Sequence, residues 1–200
     1  MTEIRYDLFD EITKKENIEK AYFDIVSKFD LVSKSFRYKG VDGISLSDID
    51  TNSEGIIETV RKEMVAFKKA QPAYKNYIPK KNGKKRAVFI YPVKERLKAE
   101  AIFRVLMPIF DNYFSNYLYS YRSSHPSYYA ARSAVRRYKR YYGENFILVT
   151  DISDYSNTID HNNLIKKLHD FGLDNKTITV SIVIPIPHII TMIGKTFWKD

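Results

Sequence analysis

The sequence predicts a mixed α+β fold, and three patterns indicate that class. Apolar side chains recur at helical spacing through several long segments. The pair Asn82-Gly83 lies between two β-rich stretches, which is a strong hairpin signal. An apolar run over residues 146–152 has the length of a strand. Helices and strands therefore belong to one chain with no repeat or low-complexity segment.

The N-terminal third is predicted to be helical. Residues 3–35 carry apolar side chains at helical spacing and predict a first helix. Two glycines within residues 39–43 predict a turn. A second helix is expected over roughly residues 55–70, with Thr51 or Ser53 as its cap.

A hairpin and a long helix are predicted next. Residues 77–79 and 86–90 are the expected strands, joined by a two-residue Asn-Gly turn. Residues 97–113 predict a helix with one apolar stripe. Pro108 should kink that helix or split it in two, because proline cannot donate a backbone hydrogen bond.

Two further helices are expected after the hairpin. Residues 126–142 predict a basic helix. Residues 162–171 predict a last helix, and Gly172 is placed to cap it.

Composition excludes several classes of protein. The 200 residues are 44% apolar, too many for a disordered chain. The absence of cysteine rules out disulfides, Cys-ligated metals and thiol catalysis. No P-loop or supported nucleophile elbow is present. The first 20 residues lack the apolar core of a signal peptide, and no run predicts a membrane span, so a cytoplasmic location without membrane partners is expected.

The positive charge is concentrated in the middle of the chain. Residues 75–140 contain 16 basic and three acidic side chains, whereas residues 1–74 contain 12 basic and 14 acidic ones. Ten tyrosines between residues 74 and 138 are interleaved with the basic groups. This composition is typical of nucleic-acid binding. The alternative is a solvated basic face with the tyrosines in a core.

Two small sets of residues carry candidate chemistry. Basic groups at and beside the hairpin turn can converge on a phosphate, although loop lysines are commonly just solvated. Asp151 follows an apolar strand, a common position for a Mg²⁺ ligand. Asp154 and Asp160 could extend that site or be helix caps and surface groups. His161 could be a base, but local capping is the commoner role of such a histidine.

Five segments in order resemble motifs of group II intron-like reverse transcriptases. They are KGVDGI at 39–44, YIPKKNGKKR at 77–86, PVKER at 92–96 with LMPIF at 106–110, YSYRS at 119–123, and TDISDY at 150–155 with IDH at 159–161. The family includes mobile-intron, retron and phage-defence enzymes, and DISDY resembles the retron and defence members more. The resemblance implies a partial right-hand polymerase fold, with a fingers hairpin, helices and the beginning of a palm sheet.

The resemblance also implies a domain division. Residues 1–58 would be an N-terminal helical extension, and residues 59–200 a partial reverse transcriptase domain. Within that domain, fingers would occupy about 59–142 and the start of the palm 143–200. No complete palm or thumb is expected.

Residue roles follow from the same resemblance. Asp151 matches the first catalytic, metal-binding aspartate, and the Ile152 carbonyl shares its metal, which is Mg²⁺ or Mn²⁺ in this family. The implied nucleotide-binding residues are Lys80, Arg86, Tyr155 and Ser156, of which Lys80 and Arg86 close on the incoming triphosphate. The implied nucleic-acid-binding residues are Lys81, Lys84, Lys85, Arg96, Arg122, Arg132, Arg136, Arg137 and Arg140.

The chain departs from the family at its metal site. The second palm motif needs an Asp-Asp pair, and the sequence has none. Ser156 replaces an aromatic residue, and Asn157 replaces an aspartate. One carboxylate does not hold two Mg²⁺ ions in the usual geometry. We therefore expect no polymerisation by this chain alone, unless further sequence or a second subunit completes the site.

The sequence leaves two functional hypotheses open. The first is the N-terminal portion of an RNA-directed DNA polymerase that binds an RNA template or RNA/DNA duplex and a nucleotide triphosphate. The alternative is a catalytically dead nucleic-acid-binding remnant or accessory subunit of a defence system. A non-coding RNA and a subunit that supplies the rest of the palm are further candidate partners. The segment after residue 178 does not match the family, as expected of a truncated, frame-shifted or divergent tail, and an incomplete palm sheet predicts marginal stability.

Overall fold

A computed structural model shows a helical protein with one hairpin. The described residues are 3, 5–27, 39–79, 83–119, 127–143, 146, 148, 150 and 158–183. Their elements are α1 (Phe9–Thr13), α2 (Lys15–Val26), α3 (Leu46–Thr51), α4 (Ser53–Val65), β1 (Tyr74–Pro79), β2 (Lys85–Ile90), α5 (Val93–Asp111), α6 (Ser127–Tyr142), α7 (His161–Phe171) and α8 (Asn175–Val183). The mixture of helix and strand confirms the α+β class.

The predicted first helix is divided into α1 and α2. Lys14 has extended backbone angles and separates the two helices. The Asn17 side chain donates hydrogen bonds to the carbonyls of Ile12 and Ala101, each at 3.0 Å. These bonds satisfy a carbonyl of α1 and tie the bend to α5. The predicted helix over residues 28–35 lies outside the described residues.

The helix α3 and the true caps were not predicted. Ser45 Oγ accepts from the Asp48 N–H at 3.1 Å, and the Asp48 carboxylate accepts from the Ser45 N–H at 2.8 Å. This capping box starts α3. The cap predicted at Thr51 or Ser53 is wrong, because Asn52 stands at the N-cap of α4 without a side-chain cap bond.

The predicted turn in residues 39–43 is confirmed. The Gly43 N–H donates to the Gly40 carbonyl at 3.0 Å, and Gly43 has a φ of +73°. A β-carbon on Gly40 would lie 3.2 Å from the Pro92 Cα, so the turn sits directly against the start of α5. A side chain at this position would require the backbone at Pro92 to move by a few tenths of an ångström.

The hairpin is confirmed, but its connection differs from the prediction. Strands β1 and β2 are antiparallel, with Tyr74 opposite Ile90 and Pro79 opposite Lys85. Five residues, 80–84, therefore connect the strands, and the expected two-residue turn is wrong. Pairing ends at Pro79 because proline has no N–H to donate to a ladder.

The later helices follow the sequence prediction closely. The helix α5 runs through Pro108 as one element, so the proline does not split it. The basic helix and the last predicted helix are confirmed as α6 and α7. Asp160 caps α7 by accepting from the Asn163 N–H at 3.0 Å, and Gly172 ends it with a φ of +98°. The helix α8 was not predicted.

One hydrophobic core joins α1 to α5, α7 and α8. It lies between α2 and α5 and includes Ile12, Ile18, Ile49, Val60 and Ile102, all of them fully buried or nearly so. The predicted domain boundary between residues 58 and 59 falls inside α4. Residues on both sides of that boundary contribute to the core. The domain division stays a prediction.

The N-terminal segment is bound to the region after α7. The N–H groups of Arg5 and Tyr6 donate to the Gly172 carbonyl at 3.0 and 3.1 Å. The Asp174 N–H donates back to the Tyr6 carbonyl at 3.1 Å, and the Leu8 N–H donates to Thr177 Oγ1 at 3.1 Å. Residues 5–8 thus pack against the region from α7 to α8.

The predicted beginning of a palm sheet is not shown. Residues 146, 148 and 150 belong to no strand, and the rest of the run over 146–152 lies outside the described residues. Within the described part of the chain, the hairpin is the one sheet. No helix in that part is both long and apolar enough to cross a lipid bilayer.

Candidate nucleic-acid interface

The helix α6 presents a concentrated positive charge to solvent. Its basic residues are Arg132, Arg136, Arg137, Lys139 and Arg140, and all five are exposed. The helix contains no acidic residue. It makes at most a few contacts with other described elements and contributes nothing to the core. Among the described residues, no carboxylate forms an ion pair with these five cations.

Three arginines of α6 lie along one side of the helix. Arg132, Arg136 and Arg140 are spaced by four residues, so they form one stripe along the helix. Val135 and Tyr138 lie outside this stripe, and both are exposed. The Tyr138 and Tyr142 rings pack together with centroids 4.5 Å apart. A stripe of this kind can follow a phosphate backbone without reading its bases.

The hairpin is the second exposed basic element. Every residue of β1 is exposed, and so are Lys84 and Lys85. Lys75 Nζ lies 5.4 Å from the centre of the Tyr77 ring and 5.9 Å from that of Phe89. The backbone of Arg86 pairs with Ile78, and its side chain is not described. The hairpin therefore projects cations and rings together.

Other basic residues in or near this region are already paired with carboxylates of the fold. Lys98, only 1% exposed, lies 2.7 Å from a Glu63 carboxylate oxygen and 2.9 Å from Glu95. Lys68 and Lys94 contact the same Glu63 at 2.9 and 3.5 Å. Arg104 of α5 pairs with Asp24 of α2. The net charge of residues 75–140 therefore overstates the charge offered to a partner.

Glu63 is the acceptor at the centre of this buried cluster. Burial disfavours its ionised form, but hydrogen bonds from Lys98 and Lys68 and the charges of Lys98 and Lys94 outweigh burial and lower the pKa of Glu63 to about 2. Glu63 lies on α4, and Lys94 and Lys98 lie on α5. The cluster therefore fixes these helices to each other at neutral pH.

Arg96 differs from the other predicted nucleic-acid contacts. It is half-buried on α5, in the stretch that carries Glu95 and Lys98. Burial lowers the pKa of the Arg96 guanidinium, and the charge of Glu100 opposes that effect. Arg96 is thus part of the packed helical region, unlike the cations of α6.

The described tyrosines of the basic region favour a surface role. Tyr77, Tyr113, Tyr117, Tyr129 and Tyr138 are all exposed. Tyr91 is half-buried, and burial raises its pKa. The alternative in which the tyrosines fill a core does not describe these side chains.

The predicted polymerase centre falls outside the described residues. This applies to Asp151, Ile152, Tyr155, Ser156, Lys80, Lys81 and Arg122. In the described ranges, no group of three or more His, Asp or Glu side chains could hold a metal ion. Asp160 is an N-cap, as one alternative had it, and His161 is an exposed residue in the first turn of α7.

Two features of the surface were missed from the sequence. Lys139 belongs to the exposed set of α6, and Lys75 lies between the two hairpin rings. The alternation of residues along each strand is the signal that places Lys75, Tyr77 and Phe89 on one face once the register is known.

Comparison with known proteins gives one limited likeness. No family model matches the chain. Protein YkfC of Escherichia coli (strain K12) is 27% identical over 144 residues, which are 70% of this chain and 38% of YkfC. The match thus spans well under half of YkfC. This identity is too low to assign a family, and the name of YkfC states no activity.

Proposed function

We propose that this chain is a nucleic-acid-binding portion of a reverse transcriptase-like polymerase. Its partner would be an RNA template or an RNA/DNA duplex. The observation that carries the proposal is α6, where five exposed cations stand on one helix that contains no acidic residue. Such a helix repels itself unless water or a polyanion screens it, and a phosphate backbone supplies the matching charge.

The contrast within the basic region supports a phosphate partner. Lys94, Lys98 and Arg104 are paired with carboxylates of α2, α4 and α5. Such pairing is absent from the described contacts of the α6 arginines. The interior cations are thus neutralised by carboxylates of the fold, whereas α6 remains basic. An external anion is the expected partner of α6.

The polymerase part of the proposal depends on the order of the sequence motifs. Asp151 and the Ile152 carbonyl would hold Mg²⁺, and Lys80, Arg86, Tyr155 and Ser156 would contact the nucleotide. Phosphoryl transfer needs two metal ions and positioned cations. A second carboxylate pair is required for that centre, so this chain is proposed to bind nucleic acid without extending a primer by itself.

A second candidate is a binding remnant or accessory subunit of a defence system. Ser156 and Asn157, at positions where the resembled family has an aromatic residue and an aspartate, favour this alternative. It predicts the same nucleic-acid binding and no polymerisation in any assembly.

Binding to a labelled 20-base-pair RNA/DNA duplex, measured by fluorescence anisotropy from 50 to 300 mM KCl, tests the proposal. If α6 contacts three to five phosphates, log K should fall with log salt with a slope of about −3 to −5. Salt-independent binding or no binding at 50 mM KCl would overturn it.

Primer extension separates the two candidates. The chain alone should add no nucleotide with Mg²⁺ or Mn²⁺. If an added subunit with an Asp-Asp motif restores extension and Asp151→Ala abolishes it, the polymerase hypothesis holds. Extension that persists in Asp151→Ala would remove Asp151 from the proposed centre.

A further inference from the structure

A cavity of about 310 Å³ lies between α2 and α5. Glu16, Asn17 and Lys20 line it from α2, and Arg104 and Val105 line it from α5. Its volume is at the lower end of the range of small-molecule sites. None of its lining residues belongs to α6 or to the hairpin, so a ligand here would be separate from the nucleic acid of the proposed function.

The two helices that form the cavity are fixed to each other beside it. The buried Asn17 side chain donates a hydrogen bond to the Ala101 carbonyl of α5 at 3.0 Å. The carboxylate of Asp24 on α2 pairs with the guanidinium of Arg104 on α5. Because these links hold the walls in place, ordering the walls would cost a ligand little binding energy.

Arg104 has hydrogen-bonding capacity that the fold leaves unused. Asp24 contacts its Nη1, whereas its Nε is buried and has no hydrogen-bond partner among the described residues. A buried donor without an acceptor is unfavourable. Nε and Nη2 form the edge of a guanidinium that matches the two oxygens of a carboxylate. A carboxylate beside Arg104 would supply the missing acceptor.

Two further groups of opposite charge line the same cavity. Glu16 and Lys20 are one helical turn apart on α2, and both are exposed. Neither forms an ion pair with another described residue, whereas Lys14 and Glu11 of the same lining pair with each other at 3.9 Å. The cavity therefore offers an unpaired carboxylate and an unpaired ammonium to a ligand.

We propose that this cavity binds a small zwitterion such as a free α-amino acid. The ligand carboxylate is held by Arg104 and Lys20, its ammonium is held by Glu16, and its side chain lies against the half-buried Val105. Glu16 would repel a simple dianion, and Arg104 and Lys20 would repel a simple amine, whereas a zwitterion complements both charges. This site does not depend on the proposed function.

The first experiment compares ligands that differ by one charge. L-alanine carries both charges, N-acetyl-L-alanine lacks the ammonium, and L-alaninamide lacks the carboxylate. Isothermal titration calorimetry on the full chain should give a Kd below about 1 mM for L-alanine and values on the order of tenfold higher for both derivatives. In two-dimensional NMR of the isotope-labelled chain, L-alanine should move the amide signals of residues 14–20 and 104–105 most.

The second experiment separates a binding role of Arg104 from a structural one. Arg104→Lys keeps the charge but removes the two-pronged edge, and it should weaken L-alanine binding on the order of tenfold. Asp24→Asn removes a competing carboxylate and should strengthen L-alanine binding about threefold. Both variants alter the same ion pair, so a purely structural role would give losses in both.

The remaining variants test the two groups on α2. Glu16→Gln and Lys20→Met should each weaken L-alanine binding on the order of tenfold, because each removes one charged partner of the ligand. Lys62→Met is the matched control, since Lys62 is exposed on α4 and lies outside the cavity, and it should leave the affinity unchanged. Circular dichroism checks that each variant is folded.

Three results would overturn the proposal. The first is neither heat nor amide shifts at about 10 mM L-alanine. The second is equal affinity for either derivative, because the site would then recognise a single charge. The third is weaker binding in both Arg104→Lys and Asp24→Asn. Loss of duplex binding by the wild-type chain would overturn the proposed function alone, because the cavity and α6 share no residue.

Discussion

Lys98 and Arg136 belong to the same strongly basic part of the sequence, but their surroundings are opposite. Lys98 is buried between the carboxylates of Glu63 and Glu95, at 2.7 and 2.9 Å. Arg136 is exposed on a helix that contains no acidic residue. The first cation holds two helices together, whereas the second is available to an external anion.

A count of charged residues does not show whether a cation is buried beside carboxylates or exposed to solvent. A buried cation without a counter-ion is too costly to keep, so the interior supplies carboxylates to each one. An exposed cation has no such need, because water solvates it. The same residue types therefore stabilise the fold in one region and predict a partner in the other.

The largest expected effect comes from removing the interior cation. Lys98→Met should lower the free energy of unfolding by about 3–5 kcal/mol, because Glu63 and Glu95 would remain buried without their main partner. Urea unfolding followed by circular dichroism at pH 7 measures the change. Lys62→Met on the exposed side of α4 is the control and should cost less than about 0.5 kcal/mol. Equal stability of the two variants would contradict the role given to Lys98.

The second effect is a pH dependence centred on Glu63. Its pKa is about 2 in the folded chain and 4.5 in the absence of these interactions, so it stabilises the fold fully above about pH 5. This contribution is lost as pH falls toward 2. The difference in unfolding free energy between wild type and Glu63→Gln should be about 2 kcal/mol at pH 6 and approach zero near pH 2.

Urea titrations of both proteins between pH 2 and 6 measure that difference. Glu54→Gln, which changes an exposed carboxylate on the same helix, is the matched control. Its difference from wild type should stay below about 1 kcal/mol at every pH. A gap for Glu63→Gln that is constant with pH would show that Glu63 acts by packing and not by charge.

The smallest effect on stability should come from the exposed cations. Replacing Arg132, Arg136 and Arg140 together with Gln should change the unfolding free energy by less than about 1 kcal/mol. The same variant should bind an RNA/DNA duplex at least about tenfold more weakly in 100 mM KCl, with a salt slope smaller by about 2–3. Anisotropy titrations at several salt concentrations measure both quantities.

A control with the same change in net charge makes that result specific. Lys14, Lys20 and Lys62 are exposed on the helical body, and replacing all three with Gln removes the same charge. Duplex binding should weaken only slightly in this control. If both triple variants lose the same affinity, net charge and not α6 controls binding.

Local signals predicted much of the fold. The helices α6 and α7 were predicted to within a residue at each end, because their patterns and the Gly172 stop act within a few residues. The hairpin was predicted, but its loop length was not, because Pro79 ends the pairing before the Asn-Gly pair is reached. Near the break at Lys14, Asn17 donates a hydrogen bond to α5, a contact 84 positions away in sequence that no local pattern contains.

The candidate surface was predicted less completely than the fold. The arginines predicted to contact nucleic acid on α6 are exposed, but Arg96 was grouped with them although it is half-buried. Sequence spacing shows that Glu95 and Lys98 are one helical turn apart, but not that Glu63 of another helix joins them. Contacts between distant elements decide which charges face solvent, and a local pattern does not contain them.

The pairing between the N-terminal segment and the residues around Gly172 has a consequence for synthesis of the chain. Leu8 and its hydrogen-bond partner Thr177 are 169 positions apart. At the usual rates of translation, the ribosome needs on the order of ten seconds to make the intervening chain. During that interval the N–H groups of Arg5, Tyr6 and Leu8 remain bonded to water. Their native bonds therefore form only after the segment that contains Gly172 and Thr177 has been made.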